Sequence, residues 1–251
     1  MLLAAFVLSA ALVAVVLWRN DLWEAEPWWA YVAAPAAGAV AMAAGFGVSL
    51  LLEMRLGPGL AGAWWSFGVF SAVPEELAKL GGAVALAAAM RRHFGNDPFD
   101  GLFYGGLIGV GAAGMETLIA LRSGGDALTL SAETAVRTLA HPLLASVTCA
   151  GLGLVRTGLR RRVVAGATAG TAALGIGLHF GWNTVRQAAE GRAGDAAMDP
   201  TIAQAWTAGI VVAGAVVFGG LVLAARQVSL RLFPERALRP LFTPDRRGAA
   251  R

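Results

Sequence analysis

Charge is scarce in this chain of 251 residues: only 14% are Asp, Glu, Lys or Arg, against 57% hydrophobic residues. A mean hydropathy of +0.63 lies outside the range of soluble globular domains. Lysine is almost missing, Lys79 being the only one beside nineteen arginines. There is one cysteine, Cys149. A lone cysteine forms no internal disulfide and says nothing about redox compartment. Histidine occurs three times, as His93, His141 and His179. Alternation with a period of two is missing, and Ala and Gly dominate, which excludes a transmembrane barrel. The net charge of +4 sits in short loops and a tail, so a nucleic-acid partner is not indicated.

What is present is a series of long apolar runs. Segments 2–18, 28–52, 163–185 and 206–225 contain no Asp, Glu, Lys or Arg. Segments 63–90, 99–121 and 131–155 are apolar apart from a few ionisable residues. About 20 apolar residues cross the ~30 Å hydrocarbon layer as a helix. The expected fold class is therefore all-α, a polytopic membrane helix bundle of about seven transmembrane helices. Segment 2–18 lacks a basic leader and a convincing cleavage site, so it is read as a retained helix. The expected organisation is a single membrane domain over 1–225 and a basic tail over 226–251.

Arginine placement predicts orientation. With the N-terminus outside, segments 19–27, 91–98, 156–162 and 226–251 are cytoplasmic and hold one, two, four and seven arginines, fourteen in all. The external segments 53–62, 122–130 and 186–205 hold four. The expected location is the cell membrane, multi-pass, N-terminus out and C-terminus in. Gly101, Gly105 and Gly109 recur every four residues, a small-residue face that lets membrane helices approach closely.

Ionisable groups inside membrane helices are costly and mark function by default. The stretch SAVPEELAKL (71–80) puts Glu75, Glu76 and Lys79 in such a segment. Glu116, Arg137, His141, His179 and Asn183 occupy three further segments. Glu75 and Glu76 lie four and three residues before Lys79, so either carboxylate can share a helix face with the ammonium. Adjacent residues differ by about 100° around a helix, so the two glutamates are expected to do different work. Pro74 removes a backbone donor beside them, which predicts a kink. His179 and Asn183 share one face. Each residue has a bland reading: a Glu–Lys clamp, a packed histidine, a snorkelling Arg137 paired with Glu133, an interfacial Trp182. Convergence on four helices favours a site.

These residues resemble a known family. PEELAK (74–79), DPFDGLFYGGLIGVGAAGMET (97–117), His141 and HFGWN (179–183) are similar, in order, to the PrsW family of intramembrane proteases, grouped with the CAAX prenyl endopeptidases and bacteriocin-processing membrane proteases. Thr117 and Gly114–Met115 depart from the family's usual neighbours of the helix-four glutamate. The resemblance implies hydrolysis of a peptide bond in a membrane-anchored protein, an anti-sigma factor for instance, beside the extracytoplasmic face of the lipid bilayer. It implies Glu75, Glu76, His141, His179 and Asn183 as catalytic. Glu75 would activate water with His141 as its partner, and His179 and Asn183 would supply oxyanion donors. Lys79, Glu116 and Asp100 would support the site. No cofactor is expected. The alternative is a zinc enzyme with Glu75, His141 and His179 as ligands, although H-E-x-x-H is missing. A proton-coupled transporter would also use Glu and His but would favour internal repeats, and none is seen.

Overall fold

The computed structural model describes residues 11, 15, 26–60, 63, 65–91, 93–122, 132–189 and 199–233, with a few side chains excepted. Every described element is helical. The order is α1 (Ala30–Leu60), α2 (Ser66–Ala89), α3 (Asp100–Arg122), α4 (Ala132–Cys149) continued by a 3₁₀ stretch (Ala150–Leu154), α5 (Arg161–Ala189) and α6 (Pro200–Leu232). The expected first helix, 2–18, lies outside the described residues apart from Ala11 and Val15. Among the described residues, four helices are long and apolar enough to cross a membrane, in α1, α3, α5 and α6. The last helix runs past Ala225 to Leu232. Helix α2 is continuous through Pro74.

Composition explains how the helices close on one another. A Cβ on Gly111 would lie 1.8 Å from the Pro35 carbonyl oxygen, and one on Gly38 would lie 1.9 Å from that of Ile108. Only glycine permits α1 and α3 to touch there. A Cβ on Gly101, Gly105 or Gly109 would come within 2.4–2.5 Å of a backbone oxygen in α4 or its 3₁₀ continuation. The four-residue glycine spacing is the α3–α4 seam.

The helices form a ring. Helix α1 packs on α2 and α3, α3 on α4, α4 on α5, and α5 on α2. Helix α6 lies outside, against α4 and α5. Its apolar face, with Val212, Val216 and Leu223, is exposed, as are Val32, Val40 and Leu51 on α1. Such faces suit lipid.

The two ends of the ring differ. One end is filled: Phe94 stacks on Tyr104 with centroids 4.7 Å apart, and Tyr31 meets Phe103 edge-on at 5.6 Å. Tyr104 donates to Glu26 there. Asp100 accepts from the backbone N–H groups of Gly95, Asn96 and Asp97 at 2.8, 3.1 and 3.1 Å. Asp97 in turn accepts from Ser229 on α6 at 2.8 Å. The Arg156 guanidinium donates to the Ala87, Arg91 and Phe94 carbonyls and so caps the end of α2. The other end holds a cavity.

Candidate active site

The site starts from the first turns of α2. Ser71 lies one turn before Glu75, and its hydroxyl donates to Glu75 Oε1 at 2.7 Å. Asn183 Nδ2 on α5 donates to the same hydroxyl at 3.2 Å. One carboxylate oxygen of Glu75 is thus held from behind. The other, Oε2, lies 3.7 Å from His179 Nε2.

Glu76, a third of a turn further on, points elsewhere. It is fully buried, as is Lys79. Its Oε1 accepts from Lys79 Nζ at 2.6 Å and contacts His179 Nδ1 at 2.9 Å. Its Oε2 accepts from the Thr148 hydroxyl at 2.6 Å. A buried carboxylate needs such donors to offset desolvation. Glu76 is therefore a fixed anion joining α2, α4 and α5. Thr148 fits because Gly175 faces it: a Cβ there would lie 2.0 Å from Thr148 Oγ1.

Lys79 also reaches His141 Nδ1 at 2.9 Å. His141 Nε2 lies 2.6 Å from Glu116 Oε2 on α3. The two imidazoles stand edge to face, with centroids 5.7 Å apart. One connected set of hydrogen bonds and close contacts thus runs from Glu116 through His141, Lys79, Glu76 and His179 to the edge of Glu75.

A cavity of about 280 Å³ opens over this set. Ser71, Glu75, Glu116, His141, His179 and Asn183 give it a polar floor. Met42, Phe46 and Leu50 on α1, Leu144 on α4 and Trp182 on α5 give apolar walls, and Glu53 and Arg186 reach it too. All five helices of the ring contribute.

Glu75, Glu76, Lys79, Glu116, His141, His179 and Asn183, expected from sequence, are thus brought together. Asp100 is not among them. It begins α3, sixteen residues before Glu116, or ~24 Å at 1.5 Å per residue, and it orders the 95–97 turn. The side chains of Arg137 and Glu133 lie outside the described residues. Ser71 and Thr148 were missed. Their signals were present: Ser71 is four residues before Glu75, and Thr148 is two turns after His141 on one helix face.

A metal would need three convergent donors and an open position. Among the described residues no three His, Cys, Asp or Glu side chains are so arranged. Glu75 Oε2 and His179 Nε2 offer two donor atoms. The third candidate, His141, has Nδ1 against the Lys79 ammonium and Nε2 against Glu116. A cation beside that ammonium would be repelled. The donor set as arranged does not fit zinc.

Two carboxylates, Glu75 and Glu116, and two imidazoles facing a cavity inside a ring of lipid-compatible helices define a polytopic membrane protein with an intramembrane polar site. Comparison supplies the family. Residues 26–217, more than half of the chain, match the family described as PrsW family intramembrane metalloprotease. The chain belongs to this family and is an intramembrane protease, acting on a protein substrate at a lipid bilayer. Comparison with curated proteins and with solved structures gave no significant match.

Proposed function

We propose that this protease hydrolyses its substrate with a water molecule activated by Glu75 and His179, without a metal ion. The carrying observation is the 3.7 Å gap between Glu75 Oε2 and His179 Nε2. It is too long for a direct hydrogen bond and suits one water held by both, ~2.8 Å from each. Both partners are fixed from behind, Glu75 by Ser71 and His179 by Glu76. The sequence reading paired Glu75 with His141. The distances favour His179, because both ring nitrogens of His141 already have partners.

The step balances simply. Glu75 takes a proton from water as the oxygen attacks the scissile carbonyl carbon. The tetrahedral oxyanion needs donors; Asn183 at the cavity wall is placed to give one, and His141 Nε2 gives a second only by turning its proton away from Glu116. As the C–N bond breaks, the leaving nitrogen takes the proton held by Glu75 or relayed by His179. A new carboxylate and a new amine result. Glu76, Lys79 and Glu116 position these groups.

The cut lies toward the extracytoplasmic face in this reading. Glu26 and Phe233 are at the filled end of the ring, together with Arg91, Arg156, Arg160, Arg161, Arg162, Arg226 and Arg231. The cavity end carries Arg55, Arg122 and Arg186 and, one turn before His141, the α4 position of Arg137 among the described residues, four against seven. Positive charge favours the cytoplasmic side, which puts the cavity mouth outside. The substrate in this reading is a membrane-anchored regulatory protein, such as an anti-sigma factor, cut beside its single span.

The test is cleavage of a fluorescent single-span peptide by the full-length chain in detergent, with the cut bond located by mass spectrometry. A cut within or just beside the outer half of the span is expected. A cut confined to the cytoplasmic flank would overturn the orientation. Turnover undiminished in Glu75→Gln would overturn the mechanism.

A further inference from the structure

We propose that the buried Glu76–Lys79 ion pair fixes opposite neutral tautomers on the two histidines of the cavity: Nε2–H on His141 and Nδ1–H on His179. The inference deepens the mechanism above, but its first readout does not depend on cleavage.

The argument is a count of donors and acceptors. A lysine ammonium has three donors and no acceptor. Lys79 Nζ lies 2.9 Å from His141 Nδ1. That nitrogen must therefore accept, so it carries no proton. A neutral ring then holds its proton on Nε2, where Glu116 Oε2 accepts at 2.6 Å. His141 thus donates to Glu116, itself at the cavity wall.

The carboxylate works in the opposite sense. Glu76 receives the Lys79 ammonium on Oε1 and the Thr148 hydroxyl on Oε2, both at 2.6 Å. It is an acceptor throughout, so His179 Nδ1, 2.9 Å from Oε1, must donate. Nε2 of His179 is left with its lone pair toward Glu75. One ion pair thus gives one imidazole that donates, to Glu116 at the cavity wall, and one that accepts from the cavity. The accepting nitrogen is what the water proton requires, and the His141 proton serves the oxyanion once it turns from Glu116. Lys79 and Glu76 are positioning residues in this scheme. They touch neither water nor substrate.

The experiment uses the full-length chain in detergent with ¹⁵N-labelled histidine. His93→Gln, far from the cavity, leaves two imidazoles, and His179→Gln in the same background assigns them. Ring-nitrogen shifts distinguish protonated from lone-pair nitrogens. The expected spectrum of the resting protein shows Nε2–H on His141 and Nδ1–H on His179. Lys79→Met should move His141 toward the Nδ1–H form and leave His179 unchanged, and Lys79→Arg should restore Nε2–H. In the cleavage assay Lys79→Met should lower kcat at least tenfold with KM within a factor of about two. Three outcomes overturn the proposal. One is His141 as Nδ1–H in the unmodified protein, which would mean a neutral Lys79 amine accepting from it. Another is the same tautomer on both rings. The third is a Lys79→Met spectrum identical to that of the parent. Because the unmodified protein decides the first two, a variant that fails to fold does not protect the idea. If the tautomers are as stated and no peptide is cut, it is the water-activation scheme that fails.

Discussion

Glu75 Oε2 and His179 Nε2 face each other across 3.7 Å at the floor of the cavity, one on α2 and the other on α5. Their other polar atoms are tied down by Ser71 and Glu76. That arrangement leaves one atom of each facing the other, as the proposed water activation needs.

Glu75→Gln should therefore remove the base while keeping the Ser71 contact. We expect kcat to fall at least a hundredfold, as for loss of a general base, with thermal unfolding in detergent little changed. His179→Gln should cost a similar factor. The double variant should be little worse than either alone, because the two residues act on one water. Independent, multiplying losses would separate them.

Metal removal tests the cofactor directly. Protein stripped with a chelator and desalted into metal-free buffer should cleave at the untreated rate. Stoichiometric zinc in the purified protein, with activity lost on stripping and regained on zinc addition, would establish the metal-dependent reading that the family's description carries.

The Glu76–Lys79 pair is fully buried, at 2.6 Å. Lys79→Met leaves a buried carboxylate short of its cation and should destabilise by about 3–5 kcal/mol. Adding Glu76→Gln should recover part of that loss. A double-mutant cycle in chemical denaturation should give a coupling of about 1–3 kcal/mol. Zero coupling would dissolve the pair as an energetic unit.

Gly109 tests the α3–α4 seam. A Cβ there would lie 2.4 Å from the His141 carbonyl oxygen and 2.5 Å from Pro142 Cα. Both are backbone and cannot rotate away. Gly109→Ala should cost about 1–3 kcal/mol and lower activity by shifting His141 against Glu116. Gly170→Ala, with nothing within 4 Å of the new methyl, is the control and should be neutral.

Orientation is measured by thiol labelling of intact cells in a Cys149→Ala background. Arg55→Cys, at the cavity end, should react with an impermeant reagent. Arg160→Cys, at the filled end, should react only after permeabilisation. The reverse pattern would put the cavity mouth in the cytoplasm.

Most of the fold class was legible in the sequence, because the bilayer imposes a simple rule. Backbone polar groups must be satisfied within each span, so apolar length announces helices. The cost of burying charge likewise made Glu75, Glu76, Lys79, Glu116, His141 and His179 stand out, and the glycine spacing at 101, 105 and 109 marked a close seam. Tertiary structure alone decided who faces whom. Spacing allowed either glutamate to pair with Lys79, and only packing against Thr148 and His179 selects Glu76 as the fixed anion and frees Glu75. It also decided that Asp100, within the same motif as Glu116, lies at the far end of α3. It brought α1, which carries none of the expected site residues, across the cavity as an apolar wall. One chain position reports burial and helix face; partner choice depends on distances between helices remote in sequence, and those are set by glycine contacts, side-chain volumes and the demand that every buried donor meet an acceptor.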